Sequence, residues 1–195
     1  MSRSRVCKRI RETRETKVEV ELNIDESGNV YVATPVKFLN HLLITMLSYM
    51  NSTAMVNAID KIPFDEHHVV EDCAITLGEA FSECLGDRGG IKRFADILIP
   101  MDDALVIVSI DISGRGRAYI DLNISRGAVG DLAVENILHF LESFAYNAGI
   151  TMHIIQLRGF NSHHIAEAVF KGLGITLYEA SRIVYSGIRS TKGVL

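Results

Sequence analysis

The sequence predicts an α+β fold built as a tandem duplication of a β-β-α-β-α half-domain. Two observations carry this. Segments of strand and helix periodicity follow one another in the same order twice. A histidine-pair motif also recurs near the start of the last helix of each half: His67-His68 with Glu71, and His163-His164 with Glu167. A leucine–glycine pair follows each copy at the same offset, Leu77-Gly78 and Leu173-Gly174. Strands mixed with helices within a half indicate a layered α+β arrangement. Two similar halves indicate duplication and not a solenoid, which needs more repeats.

In the first half, residues 17–24 alternate, with Val18, Val20, Leu22 and Ile24 on one side, as a half-buried strand does. Asp25 to Asn29 is a turn, and 30–34 is expected as the hairpin partner. Residues 36–50 place Phe38, Leu42, Met46 and Met50 at helical spacing. A short strand follows at 54–60, closed by Pro63. Asp65 is placed to cap a helix that runs to Leu85 and stops at Gly86. The glycine-rich stretch 86–90 marks the join, giving half-domains 1–90 and 91–195 within one compact unit. After the lead-in Ile91–Pro100, the second half shows strands at 104–112 and 117–124 and a helix at about 132–148 ending at Gly149. A strand at 151–157 and a helix at 163–185 complete it.

With 195 residues, 48% of them hydrophobic, the chain can bury a sizeable core. No apolar run reaches the roughly 18–20 residues that span a bilayer, and the N-terminus lacks a signal-peptide stretch. Cys7, Cys73 and Cys84 are too few and scattered for a disulfide framework or a thiolate zinc site. A reducing cytoplasm is expected. The net charge of -4 argues against nucleic-acid binding. Residues 1–17 hold seven basic side chains against two acids. Charge alone leaves open an anion-binding arm, a transit peptide or a solvated tail, and the stretch has no apolar face to match a transit peptide.

The histidines point to metal. Six of the seven fall into two matching sets, because His41 precedes His67 by 26 residues and His139 precedes His163 by 24. Residues three or four apart on a helix share a face, whereas adjacent residues project about 100° apart. Each histidine of a pair is therefore expected to serve a different metal. His41, His67, His68, Glu71, His139, His163, His164 and Glu167 then make two shells of three histidines and one glutamate, suited to manganese, iron or zinc. One such motif alone is weak and reads as helix histidines; two copies with matched upstream histidines outweigh that. His153, in a strand, reads as structural or as support for a ligand. Arg93, Arg115, Lys171, Ser190 and Lys192 are residue types that bind phosphate, although each alone reads as an exposed polar side chain. These residues also fit a dinuclear metal hydrolase acting on a phosphorylated small molecule.

Over essentially its whole length the chain resembles the imidazoleglycerol-phosphate dehydratase family. The matching segments include Arg11–Thr16 (RETRET), Phe38–Leu42 (FLNHL), Asp65–Leu77 (DEHHVVEDCAITL), Gly90–Phe94 (GIKRF), Pro100–Leu105 (PMDDAL), Gly159–Lys171 (GFNSHHIAEAVFK) and Ser190–Leu195 (STKGVL). The resemblance implies two outer sheets around a four-helix layer, a ribosomal-protein domain-2-like fold. It implies metal-dependent dehydration of D-erythro-imidazole glycerol phosphate to imidazole acetol phosphate in histidine biosynthesis, with the substrate's ring as electron sink. It further implies two divalent metals per active site, most typically Mn2+, bound by the eight residues named above. The resemblance also implies active sites shared between protomers of a 24-subunit shell. Arg93, Arg115, Lys171, Ser190 and Lys192 match the family's phosphate contacts, and Glu15 matches its proposed acid/base group. The chain departs from the common pattern at Asn40 (usually aspartate), Thr45 (usually glutamine), Phe64 (usually aliphatic or tyrosine) and Asp103 (usually glutamate).

Overall fold

A computed structural model describes residues 4–125, 127–193 and 195; Arg3 of the basic run and Val194 of the C-terminal motif lie outside the described residues. The first half runs β1 (Val6–Glu12), β2 (Thr16–Asn23), β3 (Val30–Ala33), α1 (Lys37–Tyr49), β4 (Thr53–Asp60) and α2 (His67–Leu85). The second runs β5 (Phe94–Met101), β6 (Ala104–Asp111), β7 (Arg117–Asp121), a small hairpin of β8 (Ala128–Val129) and β9 (Leu132–Ala133), α3 (Val134–Ala148), β10 (Thr151–Arg158) and α4 (Ser162–Ser181). Two four-stranded sheets result, in the orders β1-β2-β4-β3 and β5-β6-β10-β7.

The duplicated α+β class stands, but each four-stranded sheet carries one strand more than the sequence pattern shows, and the second half adds the short β8–β9 hairpin, which the pattern also misses. β1 buries only Cys7 and puts Lys8, Arg9 and Glu12 in solvent, so its alternation is hidden. β5 contains Pro100, which an edge strand tolerates because one side of its ladder is unpaired. The expected hairpin between residues 17–24 and 30–34 does not form. β3 pairs in parallel with β4, and β7 in parallel with β10. In each case a helix, α1 or α3, lies between the paired strands, and a parallel pair needs such a crossover. The hairpins that do form are β1–β2 and β5–β6.

Helix α2 packs on the first sheet and α4 on the second, while α2 pairs with α3 and α4 with α1 across the two halves. This explains the repeated glycines. A Cβ on Gly78 would lie 2.9 Å from the Phe144 carbonyl oxygen, and one on Gly174 would strike that of Met46. Each glycine thus allows one helix crossing. Phe81 of α2, Phe140 and Phe144 of α3 and Phe170 of α4 form an aromatic row with centroids 5.5–6.4 Å apart. All four are fully buried, each contributing about 1.5–3 kcal/mol. Loop carboxylates also cross between halves. Asp131 accepts from the Lys37 and Phe38 amides at the start of α1, at 2.7 and 2.8 Å. Glu66 accepts from the Ala133 amide at 2.9 Å just before α3. The N-cap of α2 is Glu66 and not the expected Asp65, which lies one residue earlier and accepts from the His67 amide at 2.9 Å.

Candidate metal centres and anion groove

The helix pairing brings the histidines together in a way that spacing alone does not show. His67 and Glu71 of α2 meet His139 of α3, and His163 and Glu167 of α4 meet His41 of α1; within each group the ligand atoms lie within 4.8 Å of one another. The sets are therefore crossed. His41 joins the pair of the second half, and His139 joins that of the first, because each upstream histidine rides on a helix that packs against the other half.

In the first cluster His139 Nε2 lies 3.1 Å from Glu71 Oε1, and the His67 and His139 rings stack at 4.9 Å. The Asn136 amide donates to Glu66 Oε1 at 3.1 Å, so its own oxygen faces His67 Nδ1 at 2.9 Å as an acceptor. His67 therefore donates from Nδ1 and keeps the Nε2 lone pair, the state a metal requires. In the second cluster Glu167 Oε2 lies 3.2 Å from His163 Nε2 and 3.4 Å from His41 Nε2. Lys171, one turn on, holds Glu167 Oε1 at 2.8 Å. Burial raises the Glu167 carboxyl pKa, but Lys171 and His41 outweigh it and hold the group below its ordinary range. Each cluster opens on its own cleft, of ≈ 520 Å³ beside His139 and ≈ 420 Å³ beside His41. Converging imidazoles and one carboxylate suit a borderline divalent cation.

The other histidine of each pair turns away. The His67 and His68 rings are at 79° and those of His163 and His164 at 87°. His68 Nδ1 lies 3.4 Å from Glu15 Oε2. His164 Nδ1 lies 2.6 Å from Asp103 Oδ1. The amides of Phe160 and Asn161 donate to Asp103 Oδ2 at 2.7 and 3.0 Å. The Phe160 amide, then His164 and the Asn161 amide, hold the Asp103 carboxyl far below the usual range. Glu15 sits in the β1–β2 turn. Asp72, next to Glu71 on α2, ties that hairpin down: Arg11 Nε donates to it at 2.6 Å, and the Thr16 hydroxyl donates to its other oxygen.

Arg93, Arg115, Ser190 and Lys192 line one open groove of ≈ 540 Å³ with Arg189. Arg93 is held by both oxygens of Asp111, at 2.7 and 3.1 Å. Lys171 is not in this groove but beside Glu167. The groove shares no lining residue with the clefts at the two histidine clusters. A wider cleft of ≈ 560 Å³ beside Arg5 and Asp25 carries none of the expected site residues. His153 lies on the outer face of β10, stacked on Tyr119 at 4.6 Å and away from both clusters. Asn40 bonds both backbone groups of Thr34, at 2.9 and 3.1 Å, and so clamps the entry to α1. The sequence reading missed Asn136 and Asp72. Asn136 lies three residues before His139, one helical step that could have raised it as a neighbour; Asp72 has no counterpart in the second motif, where Ala168 stands.

Residues 34–177 match the family described as imidazoleglycerol-phosphate dehydratase. A relative of that name from Saccharolobus solfataricus is 62% identical, the match covering 98% of this chain and 100% of the relative. Another, from Sulfolobus acidocaldarius, is 59% identical over the same shares of each chain. The structure of IGPD from Pyrococcus furiosus in complex with (S)-C348 superposes with a TM-score of 0.83 at 39% identity, covering 95% of this chain and 99% of that one. The Staphylococcus aureus imidazoleglycerol-phosphate dehydratase superposes at 0.81 and 29% identity, over 93% and 99%.

Proposed function

The chain belongs to the imidazoleglycerol-phosphate dehydratase family, and from that premise we propose how its residues divide the work. The reaction is the loss of water from D-erythro-imidazole glycerol phosphate to give imidazole acetol phosphate, a carbon–oxygen lyase step of histidine biosynthesis. His41, His67, His68, Glu71, His139, His163, His164 and Glu167 would hold two divalent ions per active site, manganese first among the candidates. When bound, these would supply electron withdrawal to the substrate's imidazole ring. That supply is needed because the proton to be removed sits on a carbon with no neighbouring carbonyl. Glu15 takes that proton and the hydroxyl next to the ring departs; the resulting enol becomes the ketone. Arg93, Arg115, Ser190 and Lys192 hold the phosphate, joined by Lys171 from a neighbouring copy.

The observation that carries this reading is the splitting of each histidine pair. One member, His67 or His163, joins a three-residue cluster; the other, His68 or His164, lies outside it beside a carboxylate. A cluster of three plus the second histidine of a pair from another copy would restore the four-ligand shell. The separate phosphate groove supports the same sharing. The two half-domains, 1–90 with the N-terminal arm and 91–195 with the C-terminal tail, then act as one unit in a 24-subunit cytoplasmic assembly. Among the described residues no helix is long and apolar enough to cross a membrane.

Ligands shared between copies turn metal binding into association free energy. Light scattering with and without manganese, on the same preparation as a ketone-formation assay and metal analysis, tests the reading. His68→Ala and His164→Ala are expected to lower bound metal, reduce particle size and abolish turnover. A fully metallated, active His68→Ala protein overturns the ligand set.

A further inference from the structure

We propose that Asp103 is a positioning residue: it fixes His164 with the proton on Nδ1, so that Nε2 faces outward as the donor. The inference rests on the metal reading above for its use, but its geometry is independent of any ion. Asp103 Oδ1 lies 2.6 Å from His164 Nδ1. An ionised carboxylate only accepts, so Nδ1 must donate and Nε2 keeps its lone pair.

The carboxylate cannot swing away to release the ring. Its second oxygen is occupied by the Phe160 and Asn161 amides at 2.7 and 3.0 Å. Asn161 in turn caps α4, its side chain accepting from the His163 and His164 amides at 3.0 and 3.4 Å. One carboxylate thus ties together the β5–β6 turn, the loop before α4 and the histidine on its first turn. The other acid near this ring, Asp102, approaches Nε2 at 3.4 Å with a side chain 70% exposed, so it is free to move aside.

The test compares the parent with Asp103→Ala, Asp103→Asn and Asp103→Glu. In metal-free protein labelled with ¹⁵N-histidine, the ring nitrogen shifts of His164, assigned by their loss in His164→Gln, report which nitrogen carries the proton. The parent is expected to hold Nδ1–H, and Asp103→Ala to lose that preference. Manganese transfer to a competing chelator is expected to show affinity 10–100-fold weaker in Asp103→Ala, the usual cost of losing such a partner. Asp103→Glu should recover much of it, because a carboxylate returns. Should the alanine variant not fold, Asp103→Asn carries the same comparison, since one amide oxygen cannot serve both the ring and the backbone amides. A parent holding His164 as Nε2–H, or an Asp103→Ala protein with unchanged tautomer and manganese affinity, overturns the proposal. A parent that holds Nδ1–H yet binds no manganese supports the tautomer assignment and sinks the metal reading instead.

Discussion

The β1–β2 turn and the β5–β6 turn occupy the same place in the two halves, and each brings a carboxylate to the second histidine of a pair. The contacts differ. Asp103 meets His164 at 2.6 Å with its other oxygen filled by two backbone amides. Glu15 meets His68 at only 3.4 Å, with its side chain 42% exposed. Duplication placed an acid twice at one position, and the local backbone decided what each can do. A carboxylate saturated with donors holds a ring still; a loosely held one, longer by a methylene, keeps the freedom that the acid/base role proposed for Glu15 requires. The supports differ too. The first turn is tied to α2 by Asp72 through Arg11 and Thr16, whereas the second motif has Ala168 at that position and Asp103 is tied to its own helix start.

The most severe test of equivalence between the halves is removal of one cluster ligand at a time. His67→Ala and His163→Ala should each lower the metal content per chain and abolish turnover, measured by metal analysis and ketone formation. If only one of the two does so, the clusters are not functional equals. Next comes Glu15→Gln, expected to lower turnover by about 10²–10⁴-fold, the usual cost of losing a positioned base, with metal, assembly and substrate affinity retained. Loss of metal instead would place Glu15 among the proposed ligands with its neighbour His68 and erase the contrast with Asp103.

Stability separates the halves more finely. Gly174→Ala should cost more than Gly78→Ala, because its Cβ strikes the Met46 carbonyl, whereas that of Gly78 meets Phe144 O at 2.9 Å. Overpacking of this kind typically costs about 1–3 kcal/mol, readable as a shift in urea midpoint; equal midpoints would show that the two crossings relax alike. The smallest effect concerns the strand that carries the first turn. The hydrogen bond from Arg5 holds the Asp25 carboxyl below the ordinary aspartate range, with partial burial opposing. The folded state therefore favours the charged form. This contribution is fully present above the ordinary aspartate pKa of the unfolded chain and is lost as pH falls through the lower folded value. Asp25→Asn should cost no more than about 1 kcal/mol at neutral pH, and the difference from the parent should vanish in strong acid. A difference that persists there would show that the contact acts through packing.

Much of the molecule was legible in the residues. The alternation of Val18, Val20 and Leu22 and the spacing of Phe38, Leu42 and Met46 marked their elements because one face of each is buried, and burial is what periodicity records. β1 was hidden because an edge strand rich in arginine and lysine buries only Cys7. The repeated H-H-x-x-E motif pointed to candidate ligands, and the divergence of adjacent histidines on a helix holds whatever surrounds them. What spacing could not show is which histidine meets which. His41 and His139 cross to the opposite half because Gly174 and Gly78 admit α1 and α3 at close range, a contact between segments far apart in the chain. Nor could it show that Asp103, one substitution in a matched motif, clamps His164 while Glu15 stays loose. That difference is set by where the Phe160 and Asn161 amides point, and backbone direction in a loop leaves no periodic trace in the sequence.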